Sequence, residues 1–216
     1  MLNVKNMMTK ENTIKLFNKK LSENNIKLLE QKILNEWNEV EEHLVKRLNE
    51  YQSIKIVLLG EATVNSKNYL LNTNSNITTS FLEPNHFGKE TKEELNKFLI
   101  DNGIFPFDLY AVPLPTFIYD NIKFKFNTNE ENQLYTDHLK EHFDKLKSKI
   151  GENQMQLIMR YSKLKKRREW KLFIDYFKDN IVNDISNIPD ISKNIRASTD
   201  KINKIFGHLI AISNHH

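Results

Sequence analysis

The sequence predicts an α/β fold: a small, mainly parallel four-stranded sheet between two layers of helix, with an added N-terminal helical segment. Three observations lead there. The run Ile54-Lys55-Ile56-Val57-Leu58-Leu59 is almost wholly apolar and stops at Gly60, as a buried parallel strand does. Two further strand-sized apolar runs follow, at residues 107–112 and 155–159. Helix-length amphipathic segments separate them, and alternating strands and helices imply a parallel sheet covered on both faces.

Taken in order, residues 9–51 are helical. Ile26, Leu29, Ile33, Trp37, Val40, Leu44 and Leu48 recur three or four apart, laying one stripe on a core, while His43 sits off it in solvent. After the first strand, residues 63–71 form a short helix or loop. Residues 72–88 are a long polar loop rich in Asn, Ser and Thr, and long loops in compact domains are often functional. Residues 89–102 form a helix opened by a capping box, Thr91 and Glu94, and stopped by Gly103. The second strand, 107–112, is closed by Pro113 and Pro115, and a loop at 116–128 leads to the helix 129–150, ended by Gly151. The third strand, 155–159, precedes a helix at 165–180 with inner face Trp170, Phe173, Ile174 and Phe177. A weak fourth strand falls near 191–197. The last helix starts at Ser198 or Thr199 and buries Ile202, Ile205, Phe206 and Leu209.

The chain has 216 residues, no Gly- or Pro-rich linker and no repeat, so residues 1–216 are expected to form one domain, with 1–51 packed on it. A mean hydropathy of −0.59 and strand-sized apolar runs describe a soluble protein with no membrane span. The first twenty residues do not read as a signal peptide, which makes a cytoplasmic location the expectation. The absence of cysteine excludes disulfides, thiolate metal sites and cysteine nucleophiles. The formal charge of +4 is concentrated: residues 160–178 carry +6, leaving −2 for the remainder. The run Lys163, Lys165, Lys166, Arg168 is either a solvated helix face or a phosphate-contacting patch.

Ligands of open α/β sheets bind beyond the carboxyl ends of the strands. Glu61 stands there on the most strand-like segment, and right-handed crossovers would bring Glu61, the segment after Val112, Arg160-Tyr161 and Ser198-Thr199 to the same edge. The bland alternative is that Glu61 only charges the first turn of a following helix. His138 and His142 are spaced for zinc on one helix face, but Leu139 stands where a zinc hydrolase has Glu and no third ligand is evident; no metal and no cofactor are expected. Neither a glycine-rich phosphate loop nor a G-x-S-x-G elbow can be written from this sequence.

Leu58-Leu59-Gly60-Glu61-Ala62, followed by Tyr69-Leu70-Leu71, resembles the first motif of the uracil-DNA glycosylase superfamily, in which Thr63 takes the place of a frequent proline. Residues 103–114 resemble that superfamily's second strand. The resemblance covers residues 54–114 and implies a base-flipping enzyme of DNA repair that hydrolyses the N-glycosidic bond of a nucleobase, modified ones included, in single- or double-stranded DNA. It implies that Glu61 acts on water and sugar with Asp108 and Ser198 as catalytic partners. Gly60, Ala62, Thr63, Tyr110, Arg160 and Thr199 would contact substrate, and Tyr69 or Phe81 would stack the base. The superfamily's His-Pro-Ser motif and iron–sulfur cysteines are absent, and Asp108 or Tyr110 stands where its asparagine reads uracil. Two other readings remain: a non-catalytic α/β module that binds nucleic acid or a nucleotide, and an erythromycin-esterase-like hydrolase, which residues 59–63 also resemble.

Overall fold

The computed structural model describes residues 23–61, 87–110, 126–159, 162–191 and 199–213. Its elements run α1 (Glu23–Glu50), β1 (Ile56–Gly60), α2 (Lys92–Asp101), β2 (Ile104–Asp108), α3 (Asn129–Ile150), β3 (Gln156–Met159), a 3₁₀ turn (Ser162–Lys166), α4 (Arg168–Phe177), a second 3₁₀ turn (Ile185–Asn187) and α5 (Thr199–Ser213). The described strands form one parallel sheet in the order β2-β1-β3, with β1 in the middle. All five residues of β1 are buried, which is why it reads as a continuous apolar run.

Side chains alternate between the two faces of the sheet. Val57, Leu59, Phe105, Phe107, Leu157 and Met159 meet Trp37, Val40, Leu44 and Leu48 of α1, the inner stripe of α3 and Trp170, Phe173 and Phe177 of α4. Ile56, Leu58, Ile104 and Ile158 meet Leu95 and Leu99 of α2 and Ile202, Phe206 and Leu209 of α5. The result is a three-layer α/β/α arrangement, the architecture expected from the alternation of elements.

Three details differ from expectation. The second strand runs over Ile104–Asp108, three residues earlier than 107. Gly103, at φ +63°, turns the chain straight from α2 into pairing, and its carbonyl accepts from Lys55 N at 2.9 Å and Ile56 N at 3.0 Å. Pro106 does not break the ladder. Gly103 and Leu109 bond towards β1, so Pro106, odd steps away, turns its nitrogen to the outer edge of an edge strand. The sheet has three described strands rather than four: beside β3 stand only two isolated parallel bridges, Met155 with Ile181 and Met159 with Asp190. The Ile185–Asn187 turn and Pro189 interrupt that stretch, and residues 192–198 lie outside the described ones. Finally, the helix expected over 165–180 is split. Leu164, wholly buried, anchors the 3₁₀ turn, Arg167 is extended, and α4 begins only at Arg168.

Candidate functional site

Pairing of β1 with β2 continues one step past the strand ends. Leu109 N donates to Gly60 O (3.2 Å) and Tyr110 N to Glu61 O (2.9 Å), so the backbone fixes Glu61 beside Tyr110 at the carboxyl edge of the sheet. Glu61 is only 2% exposed, and such an ion needs a counter-charge. Arg167 supplies it: Nη2 lies 2.6 Å from Glu61 Oε1. The 3₁₀ turn is closed by Arg167 N donating to Leu164 O (2.9 Å), which sets this arginine at the edge of the sheet rather than on the outside of a helix.

A second buried acid joins it. Glu169, in the first turn of α4, accepts from Tyr135 Oη (2.9 Å) and Tyr110 Oη (3.2 Å). Burial foremost, and then the charge of Glu169, push both tyrosine hydroxyls well above the ordinary tyrosine range, so they remain donors throughout the physiological range. Arg167 and Glu61 also bear electrostatically on Tyr110, which couples the two acids through one ring. Arg168 caps the cluster from the side, donating to Thr136 Oγ1 (2.8 Å) with its guanidinium 4.8 Å from the ring centre of Phe126.

Asp108 ends β2 in register with Gly60 and is buried. Strand alternation carries it to the side of Ile104, the α2/α5 layer, whereas Arg167, the described ion-pair partner of Glu61, comes from the opposite layer. The two share an edge and look to different faces. Thr199 opens α5 on the Asp108 side. Ala62, Thr63, Tyr69, Phe81, Arg160 and Ser198 lie outside the described residues, as does the side chain of Thr199. Of the basic run, Lys163 and Lys166 are exposed, Lys165 is tied to Ser186 O (2.9 Å), and Arg168 is engaged as above instead of pointing outward.

The zinc-spaced pair is built into the core. His142 Nε2–H donates to Asp108 O (2.8 Å) and its ring stacks on Phe107, while His138 stacks on Trp37. Burial lowers their pKa values to about 3 and about 4. Among the described residues no group of three or more metal-ligating side chains occurs, and no helix is long and apolar enough to cross a membrane.

Sequence reasoning missed Arg167, Glu169 and Tyr135. One signal was present: the lone acid Glu169 directly follows two arginines, at the start of a helix where the dipole favours acids and disfavours arginines. Fold and site together define a parallel α/β protein with a buried acid–arginine–tyrosine cluster at the carboxyl edge of its sheet. Comparison with protein-family models, curated proteins and solved structures finds no match.

Proposed function

We propose that this protein hydrolyses the N-glycosidic bond of a nucleobase in DNA, as a cytoplasmic repair enzyme. The observation that carries the reading is the burial of Glu61, held by Arg167 at the end of the central strand, on the motif that resembles the glycosylases. Cleavage breaks the C1′–N bond, the base leaves with the electron pair, water adds to the cationic sugar carbon, and the proton the water loses balances the one the departing base takes up. A carboxylate fixed beside that carbon stabilises the developing positive charge and orients the water. Lys163 and Lys166, exposed beyond the same edge, are the groups for the phosphate backbone. The test is release of free base from oligonucleotides carrying uracil, hypoxanthine or alkylated bases, by wild type and Glu61→Gln. Loss of about 10²–10⁴-fold in the variant supports the reading. Release by both at one rate, or by neither on any substrate, overturns it.

A second reading has its own observation. Glu169 accepts from two tyrosine hydroxyls and Glu61 is ion-paired with Arg167, as in a network that only fastens helices to the sheet. The protein would then bind nucleic acid without cutting it. DNA affinity that falls with salt and is lowered by Lys163→Gln with Lys166→Gln, in the absence of base release, selects this reading.

A further inference from the structure

The opposite edge of the sheet carries a cleft of about 490 Å³, lined by Ser53, Ile54, Asn153, Met155, Gln156 and Val182 among others. Its volume falls in the range of small-molecule sites. β3 runs from Gln156 to Met159, so Gln156 lies at the amino end of the strand, away from the carboxyl end of β1 that Glu61 follows.

The cleft is built rather than incidental. Its wall, the turn after α3, is held by one buried side chain: Asn180 Nδ2 donates to Gly151 O (3.1 Å) and Asn153 O (2.7 Å), and its Oδ1 accepts from Lys147 Nζ (2.6 Å). Backbone bonds from Met155 N to Asn180 O (2.7 Å) and Val182 N to Met155 O (3.1 Å) lock the next strand beside it. Walls fixed before binding reduce the entropy lost on binding. Gln156 is only 6% exposed, yet its side-chain amide makes no hydrogen bond to a described residue and keeps its polar atoms in contact with solvent. Among the described residues the amide has no competing protein partner, so a ligand in the cleft would exchange only water for its own donor and acceptor.

We propose that this cleft binds a small planar heterocycle of the nucleobase type. A glutamine amide offers a donor and an acceptor side by side and matches an adjacent acceptor and donor on a base edge. Val182, 37% exposed, supplies apolar surface beside the amide, with the buried Ile54 and Met155 behind it. Ser53 and Asn153 add hydrogen-bonding groups at the rim.

The experiment is titration of the ¹⁵N-labelled full chain with adenosine, uridine and cytidine to about 10 mM, following backbone and side-chain amide signals. Binding at this edge shifts the Gln156 side-chain NH₂ and the backbone signals of 153–156, with millimolar or tighter affinity for at least one nucleoside. Gln156→Leu weakens that binding at least tenfold, whereas Glu61→Gln leaves it unchanged. Should Gln156→Leu fail to fold, Asn153→Ala with Ser53→Ala on the rim is expected to weaken binding several-fold. No shifts at 153–156 with any nucleoside, or affinity indifferent to both variants, overturns the proposal. Shifts confined to Glu61, Tyr110 and Arg167 also overturn it, while favouring the glycosylase reading.

Discussion

The two buried histidines of α3 make stability depend on pH in a way that can be worked out beforehand. In the folded protein His138 and His142 hold their protons only below about 4 and about 3, because burial disfavours the imidazolium. In the unfolded chain both titrate near 6.5. A lowered folded pKa means that the unfolded state takes up protons first as pH falls. The stabilising effect of neutral burial is therefore complete above about pH 6.5 and is lost as pH drops towards 4. At pH 5 each unfolded histidine gains about 2 kcal/mol from protonation, so the pair removes about 4 kcal/mol of a typical 5–15 kcal/mol.

The groups facing them leave that sign unchanged. Glu41 attracts a proton to His138, but it is ion-paired with Lys145 (2.9 Å), whose charge acts the other way on both histidines. The assay is urea unfolding between pH 8 and pH 5. Below pH 6 the wild-type unfolding free energy is expected to fall by about 1.4 kcal/mol per pH unit for each histidine. His138→Phe, which preserves the stack on Trp37, should halve that slope. A free energy that stays flat down to pH 5, or a slope unmoved by His138→Phe, would show that the imidazoles are not buried as neutral groups.

Two other perturbations test the frame around the site. Gly103→Ala places a Cβ 3.0 Å from Ser53 O and 3.1 Å from Lys55 N in a left-handed conformation, and thermal unfolding should register a loss of at least about 2 kcal/mol. Gly151→Ala, with the same sign of φ and nothing within 4 Å of the added carbon, should cost clearly less. Arg167→Met leaves Glu61 buried without its ion-pair partner; about 3–5 kcal/mol of destabilisation is expected by denaturant unfolding.

The sheet and its layers were legible because burial leaves periodic marks. The stripe ending Trp37, Val40, Leu44 and Leu48 and the run Ile56–Gly60 both fall where that logic puts them. Strand limits were less legible: Pro106 suggests a break to any rule that ignores which way an edge residue points its nitrogen. The fourth strand was read from hydrophobicity near Ile191, whereas the described chain there forms one bridge at Asp190. At the site, Glu61 was visible because it ends a strand. Arg167 and Glu169 were not, since the basic run from Lys163 to Lys171 reads as the solvated outer face of a helix. The helix breaks at Arg167, and that break directs the arginine to Glu61 while Glu169 turns inward to Tyr110 and Tyr135.

Energetics bear on whether such a cluster exists for stability alone. Two arginines at the start of α4 oppose the helix dipole, each by about 0.3–1 kcal/mol where exposed. A buried ion pair recovers its desolvation cost only with good geometry, and well-packed apolar replacements of both partners are often neutral or stabilising by about 1–4 kcal/mol. If Glu61 and Arg167 only fasten the sheet to α4, apolar side chains would serve as well, and Glu61→Met with Arg167→Met should be stable and unaltered in DNA binding and base release. If the acid does chemistry, the same double variant should regain the stability that Arg167→Met alone loses and still release no base. Recovery of stability with full retention of every measured activity would reduce the pair to a structural fastening. Stability without activity would separate the two roles, because the only change is the removal of one carboxylate and the guanidinium that holds it.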